Sequence, residues 1–457
     1  MTSELPTTSV AETLAGKIVA IKPGSLPAAT ARKCEDLLID VTGLCVTARN
    51  EDYIGSALAG WDDDGPCTAI GHARTLTATG AAFINGTAAH GEDFDDTFEG
   101  GPVHAGAVVV PAVLAACEKH NPDGRMALIG IAVGCEVLCR LSVVVPKAVH
   151  KAGFHPTAIF GAMGAAAGVG AALGLDARRI VDALGIAGSM AGGIIEYLAE
   201  GAWTKRLHAG WAAQSGIRAA LLARQGFVGP RTVFEGVHGL FNGFAHTTEG
   251  DYDALTKDFG TRWVIDTLAF KPYPCGTMAQ PYIDCARRLA ARGVAAEDIR
   301  EIVCEVAEGT VHRLWEPLAD KQRPRNGYAA KFAVPYLLAA GFVHGGVGLG
   351  AFTETAIRDP EVLALAAKVK FVIDPDNPYP DNYTGHIRAG MNDGSAIEER
   401  QPYLRGGAQE PLTRRDVMDK FALNAQHGGW NKTQSDAALK LLAGLYENGI
   451  DLSALRN

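Results

Sequence analysis

The chain has 457 residues, of which 47% are apolar, 20% charged and 7% aromatic, and its formal net charge is −9. At roughly 150 residues per domain the length suggests two or three domains, with enough buried surface to need no disulfide or metal staple. The apolar fraction excludes a disordered chain, the glycines lack a collagen period, and an acidic chain without a basic block is not a nucleic-acid binder.

In chain order, the N-terminal stretch MTSELPTTSVAETLAG lacks the basic and apolar regions of a secretion signal. Nine scattered cysteines with no Cys-x-x-Cys spacing read as reduced core thiols of a cytoplasmic protein, not as zinc or iron–sulfur ligands. From about residue 8 to 265 the apolar period is helical. In Ala31–Val46, the residues Leu37, Leu38, Val41, Leu44 and Cys45 mark one buried face. Ala127–Val145 holds Glu136 and Arg140, and Thr157–Leu175 is mostly Ala and Gly, so both read as buried helices with no membrane partner. Asp176 is placed to cap a helix over Ala177–Met190. The small-residue run Gly161–Gly168 lets helix backbones approach closely, and these stripes are assigned to the core.

Near Phe270 the period changes. Extended runs are expected at Glu301–Ala307, Lys368–Ile373 and His386–Arg400, the last containing the hairpin signal Asn392-Asp393-Gly394. Helices are expected at Gln280–Arg292 and Ala329–Ala340, and the helical period returns in Arg414–Asn424 and Ser435–Tyr446. The fold class is therefore mostly α: a large all-helical domain from both chain ends (1–267 and 404–457) and a smaller α+β lid domain (268–403).

Chemistry-bearing residues concentrate in NGTAAHGEDFDDTFEGGPVHAGAVVVP, residues 85–111, where His90, Glu92, Asp93, Asp95, Asp96, Thr97, Glu99 and His104 crowd together. Such a run can be a solvated loop, a cleft of acid–base groups, or a divalent-cation site built from imidazole and carboxylate. His155 precedes a helix start at Pro156, Lys205-Arg206 with His208 precede a small-residue helix, and Lys271 opens a Pro-rich turn. Each also has an ordinary structural explanation. No glycine fingerprint for a nucleotide is present, so NAD and FAD are not implied.

The first block, followed in order by FHPT, TKRLHAG, FKPYP and AKFAVPY, resembles the 2-methylcitrate dehydratase (MmgE/PrpD) family over nearly the whole chain. That family also includes cis-aconitate decarboxylase and iminodisuccinate epimerase. The resemblance implies a homodimer, small di- or tricarboxylate substrates, and no metal or other cofactor. It implies His155, His104, Asp93 and Lys205 as the catalytic set, with Asp93 orienting a histidine or accepting from a substrate hydroxyl. Thr97, Lys271, Arg206 and His90 are the expected substrate contacts. This chain carries Arg206 where the family usually has proline, and Gly276, Met278 and Gln280 where relatives place a histidine. His312 and Arg313 stand near the place of a tyrosine found in decarboxylase members.

Removing a proton or a carboxylate α to a carboxylate needs a base near neutral pKa and fixed cations for the developing charge. The expected reaction is cofactor-independent dehydration of a 2-methylcitrate-like hydroxy acid by a lyase. Epimerisation of a dicarboxylate such as iminodisuccinate, cis-aconitate-type decarboxylation, and a non-catalytic carboxylate-binding paralogue are the alternatives.

Overall fold

A computed structural model describes residues 7–101, 103–447 and 449–456. The first six residues, part of the stretch read for a leader, lie outside the described residues. The chain forms two compact units, Met1–Leu268 with Thr413–Asn457, and Ala269–Leu412.

The first unit is helical because its apolar residues recur at three and four along segments bounded by caps. Asp176 accepts from the backbone N–H of Arg179 at 2.8 Å and opens the Ala177–Met190 helix. Helices Gly124–Val144 and Pro156–Ala172 pack backbone to backbone: a Cβ on Gly134 would lie 2.8 Å from the Gly164 carbonyl, and one on Gly168 would lie 2.6 Å from that of Gly130. Gly124–Val144 is the one helix among the described residues long and apolar enough to cross a membrane. Here it is a core helix, and its buried Arg140 is neutralised by Glu136 at 2.5 Å and donates to the carbonyls of Ala254, Lys257 and Arg262. Helix Arg414–His427, from the C-terminal part of the chain, returns to this unit, where Lys420 pairs with Asp40 at 2.8 Å on the Ala28–Ala48 helix. All nine cysteines are buried and free.

The helical unit also contains a short antiparallel ribbon, Asp64–Thr68 with Thr75–Leu76. No apolar alternation announces it, because Gly65 and Pro66 interrupt the strand.

The second unit builds a four-stranded sheet in the order Val369–Ile373, Ile299–Val306, Gly385–Met391, Ala396–Gln401. The first pair is parallel and the others antiparallel, with the hairpin at Asn392-Asp393-Gly394. Ile302, Cys304 and Val306 alternate inward with Ile387 and Ala389, onto a core that includes Trp315 and the Gln280–Ala291 helix. Two expectations are corrected here. The helix expected over Ala329–Ala340 is a single turn, Gly327–Ala330, followed by Val334–His344, because Pro335 fits the first turn of a helix and not its interior. Residues 404–412, expected with the helical domain, belong to the second unit, where Gly406 bonds to Phe270 at 3.0 Å and Arg405 pairs with Asp284 at 2.9 Å.

Candidate active site

Three helices and one loop of the first unit build a buried polar cluster. Helix Ala78–Gly91, capped by Thr77, carries His90 in its last turn. It lies against helix Thr204–Arg224 at a point where both backbones need glycine: a Cβ on Gly210 would stand 2.1 Å from the Phe83 carbonyl. That contact sets His90, one turn beyond Gly86, beside the N-terminal turns that carry Lys205 and His208. His155 caps the third helix, Pro156–Ala172.

The loop after His90 turns back sharply because Asp93 adopts a left-handed conformation, φ 55°. Asp93 then reaches Lys205 and accepts from its ammonium. Two residues on, Asp95 lies 2.7 Å from Nδ1 of His90. Asp96 accepts from the backbone N–H groups of Ala105 and Gly106 at 3.0 and 2.9 Å, anchoring the start of helix Gly106–His120. His104 Nδ1 is 2.6 Å from the Asp96 carbonyl and 3.2 Å from Thr97 Oγ1. A carbonyl only accepts, so His104 carries its hydrogen on Nδ1 and offers Nε2 as an acceptor. The same reasoning applies to His90: Asp95 takes the Nδ1 hydrogen, and the buried Nε2 has no hydrogen-bond partner among the described residues.

Four imidazoles follow one another. Ring centroids are separated by 5.1 Å from His104 to His90, 5.6 Å from His90 to His155, and 5.2 Å from His155 to His208. The Nδ1 atoms of His155 and His208 stand 3.1 Å apart, and the ring of Tyr197 flanks both. Burial, then the electrostatic influence of His90, His208 and Lys205, pushes the His155 pKa well below the usual imidazole range. Burial, then His90 and Lys205, lowers that of His208 to about 4. Burial pulls down on the Lys205 ammonium, but Asp93, with Tyr197 and Asp95 behind it, outweighs that and holds its pKa above the ordinary lysine value. Burial and the charge of Asp95 raise Asp96 to about 7, against the backbone N–H groups that favour its anion.

Of the residues singled out in the sequence, His90, Asp93, Thr97, His104, His155 and Lys205 converge here. Asp93, expected to orient a histidine, is paired with Lys205. The carboxylate on an imidazole is that of Asp95, which the sequence offered only as one member of an acidic run. Arg206 lies elsewhere in the cluster's surroundings, 4.3 Å over the Tyr53 ring and 3.9 Å from Glu92. His208 stands in TKRLHAG, outside the site residues that the resemblance implies. A histidine among small residues carries no sign of its partner. Lys271 belongs to the second unit, in the turn preceding Gln280. Gln280 is buried and donates to the carbonyls of Tyr273 and Cys275 at 3.1 and 3.4 Å, bracing that turn.

Donor atoms of His90, Asp95 and His104 lie within 4.8 Å of one another, the arrangement nearest to a metal-ligand set among the described residues. Both Nδ1 atoms are already hydrogen-bonded, to Asp95 and to the Asp96 carbonyl, which leaves each Nε2 as the ring atom that would meet a proton or a cation. A cation on Asp95 would compete with the His90 hydrogen bond.

Comparison with known proteins places these features in a family. Residues 12–253 match the MmgE/PrpD N-terminal domain and residues 273–442 the MmgE/PrpD C-terminal domain. The chain is 28% identical over 438 residues to a mouse protein named cis-aconitate decarboxylase, covering 91% of this chain and 87% of that protein. It is 31% identical over 374 residues to the human protein of the same name, covering 79% and 75%. To the cis-aconitate decarboxylase-like protein oryM of Aspergillus oryzae it is 26% identical over 445 residues, covering 92% and 91%. With both of its units matched, the chain belongs to the MmgE/PrpD family.

Proposed function

We propose that this MmgE/PrpD-family enzyme of small carboxylates removes carbon dioxide from a cis-aconitate-type tricarboxylate, in place of the dehydration that the sequence reading puts first. The names of the relatives support the change. One structural observation carries it: a buried His90 held by Asp95 at 2.7 Å, its Nε2 without a hydrogen-bond partner among the described residues.

Decarboxylation breaks one carbon–carbon bond. Carbon dioxide departs without the bonding electrons, which stay on the carbon skeleton and take up one proton. No hydroxide leaves, so a single acid group suffices. His90 suits that role, because the Asp95 charge stabilises the imidazolium that must form before the proton is given up. His104, with its Nε2 also an acceptor, and His155 complete the proton-carrying set. Lys205 supplies positive charge for substrate carboxylates, and Thr97 a hydroxyl. No metal takes part in this scheme. A homodimer belongs to the same reading, supported by the exposed Ile194, Trp203, Trp211 and Phe227 on the helical unit.

The test is incubation of pure protein with cis-aconitate in deuterated water, with and without EDTA. The expected result is carbon dioxide release, one deuterium on carbon in the product, and no effect of the chelator. Inertness toward cis-aconitate with loss of water from 2-methylcitrate would restore dehydration. Activity lost to EDTA and regained with one divalent ion would overturn the metal-free scheme.

A further inference from the structure

Two ring nitrogens 3.1 Å apart are joined by one hydrogen, donated by one imidazole and accepted by the other, as between Nδ1 of His155 and Nδ1 of His208. A neutral imidazole has one hydrogen, so whatever His155 does at Nδ1 it does the opposite at Nε2. If it donates to His208, its Nε2 is a base. If it accepts from His208, its Nε2 is a donor. We propose that His208 is a positioning residue: through this bond it fixes the tautomer and ring orientation of His155, and so decides how His155 meets the substrate. The inference rests on the decarboxylase reading for its activity assay alone.

The surroundings hold His208 in place. Its Cδ2 and Nε2 lie against Gly193, where an added Cβ would stand 3.2 Å from each. The Gly193 carbonyl in turn accepts from the backbone N–H of His155 at 2.9 Å. Phe154 and Ile194 bridge the same two segments, and Tyr197 closes the other side at 5.7 Å between ring centroids. Both imidazoles are buried beside Lys205 and His90, which disfavours a second proton on either ring and keeps the pair neutral. A neutral pair with one shared hydrogen has two tautomeric arrangements. The bond couples the two rings, so the hydrogen that His208 gives or takes at Nδ1 sets what His155 presents at Nε2.

His208→Phe keeps the ring volume and removes the bond, and His208→Asn offers an amide able to donate or accept in its place. The tautomer of His155 is read from ¹⁵N shifts of its ring nitrogens in the resting protein, and kcat and KM are measured on cis-aconitate. His208→Phe is expected to change the His155 ring shifts, to lower kcat by about 10-fold or more and to leave KM within about threefold, with His208→Asn recovering part of the loss. Should His208→Phe fail to fold, His208→Ala removes the same bond and carries the same readouts. Unchanged His155 shifts in a folded variant overturn the proposal, as does unchanged kcat. If wild-type protein leaves cis-aconitate untouched, the decarboxylase reading fails by itself, and the ¹⁵N shifts still decide the role of His208.

Discussion

Asp95 and His90 meet at 2.7 Å with neither side chain exposed to solvent. An exposed carboxylate would contribute little to a histidine. A buried one sets the tautomer and stabilises the imidazolium in a medium where its charge is poorly screened.

Asp95→Asn keeps the volume and removes the charge. The amide can donate to Nδ1 and so force the opposite tautomer, or accept and leave the imidazolium without a counter-charge. Turnover should fall by about 10²-fold or more, within the range of general acid–base contributions. KM should change little, and the melting temperature should stay near that of the wild type. Unaltered kcat would remove His90 from the proton path and leave His104 as the next candidate.

A second expectation concerns the frame that brings the imidazoles together. Alanine at Gly210 would drive its Cβ to 2.1 Å from the Phe83 carbonyl and 2.4 Å from Thr87 Oγ1. A backbone carbonyl inside a helix cannot swing aside, so the helices carrying His90 and Lys205 must separate. Overpacking of this kind costs about 1–3 kcal/mol, occasionally more. Gly210→Ala should therefore lower both stability to denaturant and kcat. Gly16→Ala is the control: Gly16 is an exposed helical glycine with no heavy atom within 4 Å of the added Cβ. There the change should be neutral or stabilising by up to about 1 kcal/mol, the helix-propensity gain of alanine over glycine. Equal destabilisation by both substitutions would argue against the close helix contact.

What the sequence disclosed, and what it withheld, follows from the range of the forces involved. The Asp176 cap, the inward alternation of Ile302, Cys304 and Val306, and the turn at Asn392-Asp393-Gly394 are local, and each is legible from a few adjacent residues. The family blocks located the cluster. They did not assign partners within it, because these depend on the phase of one loop. The left-handed turn at Asp93 sends that side chain to Lys205 and brings Asp95 round to His90. Among acidic residues so close together, sequence spacing cannot separate those outcomes. His208 met His155 across 53 positions, through helix packing at Gly86 and Gly210 that no periodicity reports.

The last expectation links the site to stability through Asp96. Burial, reinforced by Asp95, raises its pKa to about 7 from an ordinary value of 3.8. Between those two pH values the folded protein keeps a proton on Asp96 that the unfolded chain has released. The folded state then binds more protons than the unfolded state, and stability must fall as pH rises through that window. His208 works in the opposite sense. Its pKa is lowered from 6.5 to about 4, so over that range the unfolded chain holds the extra proton and stability rises with pH. The total slope mixes the two signs, and only a difference isolates one of them. Asp96→Asn removes the Asp96 contribution and leaves that of His208. The asparagine oxygen still accepts from Gly106, while its amide N–H faces the Ala105 N–H that Asp96 had satisfied. A pH-independent loss of about 1–3 kcal/mol is expected from that unpaired donor. Urea unfolding of both proteins at intervals between pH 4 and 7 separates the terms. The stability of wild type minus that of Asp96→Asn should be most positive at the acid end and fall steadily toward neutral pH, changing sign where the ionisation cost exceeds the constant loss. A gap that stays constant over that range would mean that Asp96 is ionised throughout, held so by the backbone N–H groups of Ala105 and Gly106.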